Sequence, residues 1–305
     1  MRIAVAATPA VAIPTLDALL LSDHELTAVI TKADAPAGRG RELQASPVSH
    51  WADANKVKVF KPATKEALSD LVRDLVGDLD LVITIGYGLI IPLHILTLPK
   101  NGFINLHFSL LPRWRGAAPV QRAIEAGDSV TGVTVFQLDA GMDTGPIYQS
   151  AQITLSPDDS SERIFQSLAN LGVEPVLETL RQIESGVQPV AQIENGVTRA
   201  NKLSKEEGHL DWSSDAIVIV RKVNAFNPSP GTWSLFRGEV LKINQVRPGK
   251  KSLPIGSLEY EDGALHIGTA TSALEILEVT PAGKAAMSAK SWANGARLEA
   301  TDLLK

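Results

Sequence analysis

The 305-residue sequence contains no cysteine. The chain therefore has no disulfide, no thiolate zinc site, no iron–sulfur cluster and no cysteine nucleophile. This absence suits the reducing cytoplasm, which is the expected location. Aromatic residues are scarce, at 5%, but hydrophobic residues make up 44% and charged residues 21%. Such a composition is typical of a globular protein with a sizeable core, and it excludes wholesale disorder.

The sequence also lacks a polybasic tail and an uninterrupted apolar run. Its net charge of −5 divides into −6 over residues 1–200 and +1 over residues 201–305. Overall charge therefore predicts no nucleic-acid partner, although a few positioned Arg or Lys suffice for phosphate contacts. Prolines and glycines break or bound the two most apolar stretches, Ile3–Ile13 and Leu81–Pro99. We therefore expect neither a signal peptide nor a membrane span.

Short β-branched runs alternate with amphipathic stretches through the first half of the chain. The predicted strands are Ile3–Ala7, Thr27–Thr31, Val57–Phe60, Leu79–Ile85, Phe103–Leu106 and Val133–Leu138. One long helix is predicted from Ser160 to Ile183. This order predicts the α/β class, with a doubly wound, mainly parallel sheet covered by helices on both faces.

The pattern changes after Gly186, where Pro189 and Gly196 interrupt a stretch without periodicity. Beyond it the sequence predicts one helix, Asp215–Ala225, and several short strands. The strands are Thr232–Phe236, Val240–Val246, Gly256–Tyr260, Ala264–Ile267 and Leu274–Val279. Runs of this kind are typical of a small antiparallel, OB-like barrel. We predict a first domain over residues 1–188, a linker over 189–205 and a second domain over 206–305.

Common cofactor motifs are missing. The stretch Gly86-Tyr-Gly88-Leu-Ile-Ile91 has Ile where a dinucleotide-binding fingerprint needs its third glycine, and no phosphate-binding GxxxxGK[ST] loop occurs. No HExxH or similar metal-ligand spacing is present either. These absences disfavour a dinucleotide dehydrogenase and indicate chemistry without a metal.

The informative stretch begins with Asn105 and His107 at the end of a predicted strand. Because these residues are two apart, their side chains point to the same side, at the edge where an open α/β sheet binds ligands. An amide can donate to a carbonyl oxygen that becomes an oxyanion, and an imidazole can add a bond or move a proton. The pair suits acyl transfer. On spacing alone, a strand-end Asn and His more often form hydrogen bonds with the backbone of a loop.

A second loop, residues 139–146, places Asp139 and Asp143 around a glycine turn. It also follows a predicted strand, so we expect it beside the first loop at the same sheet edge. There Asp143 can hold the imidazole of His107 in one tautomer or collect a proton from an attacking amine. The alternative is that each carboxylate bonds the backbone of its own turn.

At these two motifs the sequence resembles the folate-dependent formyltransferases. Asn105-Leu-His107 and Asp139-Ala-Gly141-Met-Asp143-Thr-Gly145 match the family's Asn-x-His pair and DxGxDTG loop. The resemblance implies a catalytic trio of Asn105, His107 and Asp143, with 10-formyltetrahydrofolate as formyl donor and no metal. The folate-binding residues that it implies are Tyr87, Gly88, Leu89, Ser109, Leu110, Leu111, Pro112 and Asp139.

Further segments resemble the branch of that family that acts on tRNA. They are Pro36–Arg41, Arg113–Pro119, Lys202–Glu207, Arg221–Gly231 and Pro281–Met287. This resemblance implies contacts with the acceptor stem of initiator methionyl-tRNA through Arg39, Arg41, Arg113, Arg115, Lys202, Lys205, Arg221 and Lys284. Standing alone, the basic loop at Arg39 and Arg41 is more typical of a solvated surface turn.

The chain departs from the family at two positions. Ala7 stands where a glycine is frequent, and Phe108 stands where a small residue is usual. We expect Phe108 to narrow or desolvate the space beside His107.

The resemblance implies transfer of a formyl group to the α-amino group of methionine on initiator tRNA, by a monomer with no DNA or membrane partner. Two alternatives stay open. One is a related formyltransferase that acts on a sugar amine or a purine precursor, and the other is a tRNA-binding module without catalysis.

Overall fold

The computed structural model describes residues 1–37, 42–75 and 78–305. Backbone contacts divide the chain into two units. The first unit contains Met1–Pro119, Val130–Ile153 and Phe165–Ala200, and the second contains Val120–Ser129, Thr154–Ile164 and Asn201–Lys305. The boundaries predicted at residues 188 and 205 stay a prediction.

The first unit is built on a mainly parallel sheet. The strands before residue 201 are β1 (Arg2–Ala7), β2 (Glu25–Ile30), β3 (Ala35–Ala37), β4 (Glu42–Gln44), β5 (Val59–Phe60), β6 (Leu81–Ile85), β7 (Phe103–His107), β8 (Arg115–Gly116), β9 (Val130–Gln137), β10 (Ile147–Thr154) and β11 (Arg199–Ala200). Seven of them form the central sheet in the order β10-β9-β7-β6-β1-β2-β5. The pairs β1–β2, β1–β6, β6–β7 and β2–β5 are parallel, whereas β7 and β9 are antiparallel. This arrangement confirms the predicted fold class.

Hydrophobic side chains explain why β1 and β6 lie at the middle of the sheet. Every residue of β6 is buried, and so are five of the six residues of β1. Strands covered on both faces read as continuous apolar runs, as these two do. The loops that follow these two strands therefore begin from a well-packed part of the fold.

The helices are α1 (Ile13–Leu20), α2 (Pro47–Asn55), α3 (Lys65–Leu75), α4 (Pro119–Ala126), α5 (Ser161–Leu171), α6 (Val173–Glu184), α7 (Ala216–Phe226) and α8 (Ala289–Ala296). The single helix predicted from Ser160 to Ile183 is wrong, because α5 and α6 meet at Gly172. A side chain there would come within 2.7 Å of Leu106, and Pro175 has no N–H to donate in the first turn of α6. None of the described helices is both long and apolar enough to cross a membrane.

The second unit contains an antiparallel sheet. Its strands are β12 (Thr232–Phe236), β13 (Glu239–Pro248), β14 (Leu258–Glu261), β15 (Ala264–Ile267), β16 (Leu274–Pro281) and β17 (Met287–Ser288). The order is β12-β13-β16-β15-β14, with β17 paired to β16. Leu304 bridges to Phe236 of β12, and Leu303 bridges to Ser257 just before β14. The last residues of the chain thus lie along both edges of the sheet. Among residues 201–305, all of which the structure describes, the edge strands β12 and β14 do not pair with each other, so the predicted OB-like barrel is not closed.

Candidate active site

Asn105 lies near the carboxyl end of β7, opposite Thr84 of the parallel strand β6. Thr84 Oγ1 lies 2.8 Å from Asn105 Oδ1 and 3.1 Å from the carbonyl oxygen of Ile104. The hydroxyl has one hydrogen, and the shorter contact is the one to Asn105. Donation to Oδ1 fixes the orientation of the amide and leaves its NH₂ group to donate elsewhere. That is the orientation needed to stabilise an oxyanion.

The imidazole of His107 is held between a carbonyl group and a carboxylate. Its Nε2 lies 3.0 Å from the carbonyl oxygen of Trp114. A carbonyl can only accept, so the neutral ring carries its hydrogen on Nε2 and its lone pair on Nδ1. Nδ1 faces Asp143 Oδ2 at 3.8 Å, which is too long for a hydrogen bond. The tautomer is therefore fixed by Trp114, whereas the sequence had suggested Asp143 for this role.

Asp143 is anchored by backbone rather than by His107. Its Oδ2 accepts the N–H of Gly116 at 2.7 Å. Asp143 and Trp114 both adopt left-handed backbone conformations, with φ values of 55° and 64°. Such conformations cost non-glycine residues about 1–3 kcal/mol and persist only where the surroundings enforce them. Both groups that face the imidazole are thus held under backbone strain.

The loop of Asp143 reaches His107 by an unexpected route. Strand β9 runs antiparallel to β7, with Gln137 opposite Ile104 and Thr134 opposite His107. The two loops lie beside each other, as predicted. The predicted route is wrong, because β9 ends away from the carboxyl end of β7. The loop folds back so tightly that a side chain at Gly145 would lie 1.7 Å from the Gln137 carbonyl oxygen. Only glycine fits this return.

The residues assigned to folate binding fall into two groups around strand ends. After β6, Gly88 is exposed and Leu89 is half-buried, whereas Tyr87 is 3% exposed and belongs to a core cluster. Burial raises the pKa of Tyr87 to about 12. Within the part of the chain that the structure describes, the Tyr87 hydroxyl has no hydrogen-bond partner.

The second group follows β7 and β9. The buried Ser109 hydroxyl donates to the carbonyl oxygen of Arg113 at 2.7 Å, and the N–H of Leu111 donates to Thr134. Leu110 and Pro112 are half-buried. The exposed Asp139 carboxylate accepts from Gly141 N–H and the Thr144 hydroxyl, so it bonds its own turn, as the alternative interpretation expected.

The cations assigned to tRNA differ in their surroundings. Arg39 and Arg41 lie outside the described residues. The guanidinium of Arg113 stacks over Trp114, 4.4 Å from the ring centroid, and that of Arg115 donates to Gln192. Exposed side chains belong to Lys202, Lys205 and Lys284, whereas Arg221 of α7 is half-buried.

Phe108 and Ala7, the two departures from the family pattern, are both buried. The Phe108 ring lies edge-on to Phe165, with centroids 6.0 Å apart. Its expected influence on the space beside His107 stays a prediction.

Chemically, the site combines an amide NH₂ group, an imidazole with a lone pair on Nδ1, and a carboxylate facing that nitrogen. In residues 1–37, 42–75 and 78–305, no group of three or more His, Cys, Asp or Glu is placed to hold a metal ion. An amide donor and a base on one strand suit the attack of an amine on a carbonyl carbon.

Comparison with known proteins decides the family. A family model described as formyl transferase matches residues 1–180, and one described as formyl transferase, C-terminal domain, matches residues 202–297. The chain belongs to the formyl transferase family. A methionyl-tRNA formyltransferase of Salinispora tropica is 42% identical over 307 residues, which cover 100% of both chains. One of Streptomyces griseus is 42% identical and covers 100% of this chain and 99% of its own.

Solved structures share the fold at low sequence identity. An N-formyltransferase from Helicobacter canadensis, in complex with folinic acid and dTDP-3-aminofucose, has a TM-score of 0.69 at 16% identity. The match covers 92% of this chain and 100% of that one. A variant of HypX from Aquifex aeolicus has a TM-score of 0.68 at 21% identity, over 97% of this chain and 47% of that one.

Sequence reasoning missed three parts of the site. They are the Thr84 hydroxyl, the Trp114 carbonyl group and the side chain of Gln192. Thr84 sits in an apolar strand, and a carbonyl group belongs to every residue, so neither gives a signal in the sequence. Gln192 falls within the predicted linker, and its side chain bonds the Asp143 carbonyl group, 49 positions away.

Proposed function

We propose that this protein transfers the formyl group of 10-formyltetrahydrofolate to the α-amino group of methionine on initiator methionyl-tRNA. The observation that carries the proposal is the arrangement of Asn105, His107 and Asp143 at the end of β7. Membership of the formyl transferase family supports the reaction type. Relatives at about 42% identity over the full chain, named methionyl-tRNA formyltransferase, support the acceptor.

Asn105 serves the transition state. As the amino nitrogen attacks the formyl carbon, the formyl oxygen gains negative charge, and the NH₂ group of Asn105 donates to it. Because Thr84 already holds the amide oxygen, this donor needs no reorientation during the reaction. Loss of one such donor costs about 10²–10³ in turnover.

His107 and Asp143 handle the proton. The uncharged amine loses a proton as its bond to carbon forms and the bond between the formyl carbon and the folate nitrogen breaks. The lone pair on His107 Nδ1 accepts this proton, and the imidazolium then gives it to the departing folate nitrogen. The carboxylate of Asp143, 3.8 Å from Nδ1, stabilises the imidazolium between the two transfers. The Trp114 carbonyl keeps Nε2 protonated throughout.

The strand-end loops suit a folate, which supplies the formyl group when bound. Gly86 and Gly88 expose their backbone after β6, and Ile90 is 67% exposed close by. A flat heteroaromatic ring can rest on such an apolar side chain while its polar edge bonds backbone groups. We assign the residues from Tyr87 to Leu89 and from Ser109 to Pro112, with Asp139, to this contact.

The exposed Lys202, Lys205 and Lys284, together with Arg39, Arg41, Arg113, Arg115 and Arg221, are assigned to the tRNA. The division into a catalytic domain, a linker and a tRNA-binding domain belongs to the same proposal. A cytoplasmic location, a monomeric state and the lack of a DNA partner stay predictions.

A direct assay of acceptor choice tests the function. The wild-type protein and 10-formyltetrahydrofolate are incubated with methionyl-tRNA, with an amino-sugar nucleotide or with a purine-precursor amine, and formylated product is measured. We expect formylated product with methionyl-tRNA and none with the other two acceptors. Product with only a small amine would favour the related formyltransferases, and tRNA binding without formyl release would favour the noncatalytic alternative.

A further inference from the structure

Residues 190–200 contact both loops of the site in the first unit. Val190 exchanges two backbone hydrogen bonds with Ile147, at 2.7 and 2.8 Å. The Thr198 hydroxyl accepts the N–H of Trp114 at 2.8 Å, and β11 pairs in parallel with β8. This segment, predicted as a linker, is thus attached to the chain just after Asp143 and to the loop that follows His107.

Between these attachments, the Gln192 side chain makes four hydrogen bonds. Its Nε2 donates to the carbonyl oxygens of Asp143 and Gly145, at 2.9 and 2.8 Å. Its Oε1 accepts from Nε and Nη2 of Arg115, at 3.1 and 2.7 Å. Both amide hydrogens and the amide oxygen are used. A flipped amide would face carbonyl oxygens with an oxygen and a guanidinium with an NH₂ group, so only one orientation fits.

The hydrogen bonds of Gln192 fix the backbone of a residue in a strained conformation, Asp143. Asp143 has a φ of 55°, a conformation that surrounding bonds have to maintain in a non-glycine residue. Its carboxylate reaches Gly116 N–H, while its own carbonyl group is held by Gln192. Loss of the hydrogen bond from Gln192 lets the Asp143 backbone relax, and the carboxylate that faces His107 moves with it.

We propose that Gln192 is a positioning residue for formyl transfer. Its amide holds the Asp143–Gly145 turn so that the Asp143 carboxylate faces His107, and Arg115 locks the amide in its orientation. The guanidinium of Arg115 therefore serves this loop, in addition to the tRNA contact assigned to it. This inference rests on the proposed function, because its effect is read in the rate of formyl transfer.

Two variants separate the donor from the acceptor half of the amide. Gln192→Ala removes all four bonds. Gln192→Glu retains an acceptor for Arg115 but replaces the donor that faces the two carbonyl oxygens. The matched control is Gln188→Ala, because Gln188 lies four positions before Gln192 and, among the described residues, its exposed side chain donates only to Gly186.

We expect kcat for methionyl-tRNA to fall about 10- to 100-fold in both Gln192 variants, since a displacement of about 1 Å costs this much. The KM for tRNA and the dissociation constant for folate should stay within about twofold of wild type, because the defect lies in the transition state. Gln188→Ala should keep the wild-type kcat. A Gln192→Glu enzyme with wild-type kcat would overturn the proposal.

Coupling to Asp143 distinguishes positioning from general stabilisation. In an Asp143→Asn background, Gln192→Glu should lower kcat by less than about threefold, because residues acting as one unit are not additive. A full, independent loss in that background would contradict the proposal. Failure of both Gln192 variants to fold, judged by thermal melting, would make Gln192 a stability residue and contradict it too.

Failure of the proposed function gives a different result. If the wild-type enzyme does not formylate methionyl-tRNA, the function and the inference that rests on it both fall. If the wild-type enzyme is active and the Gln192 variants match Gln188→Ala, only the inference falls.

Discussion

Two asparagines, one in each unit, show how differently the same side chain is used. In the first unit, Thr84 holds the amide oxygen of Asn105, and the amide nitrogen donates to no acceptor among the described residues. In the second unit, Asn227 Nδ2 lies within 3.1 Å of three acceptors, and Oδ1 accepts the N–H of Thr232. A polar group held at one end and open at the other is available for chemistry, whereas one bonded at both ends stabilises the fold.

Pairs of charged side chains differ between the two units in the same way as the two asparagines. In the second unit, Nε and Nη2 of Arg237 donate to the two carboxylate oxygens of Asp302, at 2.8 and 2.7 Å, and this contact holds the pKa of Asp302 below its usual value. In the first unit, His107 and Asp143 face each other at 3.8 Å without a hydrogen bond. The two side chains form an ion pair only when the imidazole gains a proton during the reaction.

The largest effects should come from His107→Ala and Asp143→Ala. Each should lower kcat at saturating substrates by at least about 10², because both residues act on the same proton in the transition state. The double variant should be little worse than the poorer single variant. Steady-state kinetics and thermal melting of the three variants test this, and a near-wild-type kcat in either single variant would remove that residue from the mechanism.

Asn227→Ala should act on stability. It removes bonds to the Val223 and Ile243 carbonyl oxygens and to Thr232, and leaving such groups unpaired costs about 2 kcal/mol. Denaturant unfolding measures this loss, and kcat per folded molecule should change far less than in His107→Ala. A selective loss of kcat with unchanged unfolding would break the contrast between the two asparagines.

Thr84→Val should lower kcat by about tenfold, because the isosteric valine no longer holds the Asn105 amide while the packing of β6 is preserved. Thr84→Ser is the matched control, since it retains the hydroxyl and should recover most of the rate. Equal kcat values for Thr84→Val and Thr84→Ser would show that the Asn105 amide does not need this hydrogen bond.

The smallest effect is expected from Lys202, Lys205 and Lys284. Each change to Gln should weaken productive tRNA use and reduce the salt slope by roughly 0.7–0.9 for each tRNA phosphate that the side chain neutralises. Arg39→Ala and Arg41→Ala belong to the same series. The exposed Lys242 of β13 offers the matched control, Lys242→Gln. An unchanged salt slope across the series would return these residues to a solvated surface.

Local pattern predicted much of the fold and the core of the site. The apolar runs predict the positions of β1, β6 and β7 in the sequence well, because a strand buried on both faces of a sheet requires such a run. The spacing of Asn105 and His107 on one strand follows from the alternation of side chains. The position of its loop suggested Asp143 as a partner of His107, and the resemblance of that loop to a known family favoured this role over a carboxylate that bonds its own turn.

What escaped prediction depends on pairing between distant segments. The direction of β9 does not show in its apolar pattern, since an antiparallel strand at this position is as buried as a parallel one. The hydrogen bond between Thr84 and Asn105 depends on the register of two strands and joins residues 21 positions apart. The hydrogen bond between Gln192 and Asp143 joins residues 49 positions apart. Periodicity reports which face of a strand is buried, but it does not identify the strand that pairs with it or the direction of that pairing.

The most direct test is the single-turnover rate of formyl transfer from 10-formyltetrahydrofolate to methionyl-tRNA, with wild type and Asn105→Ala compared at saturating concentrations. This rate isolates the chemical step from binding and product release. We predict a fall of about 10²–10³, with both substrates still bound at near-wild-type affinity. An Asn105→Ala enzyme that transfers formyl at the wild-type rate would contradict the assignment of the oxyanion donor.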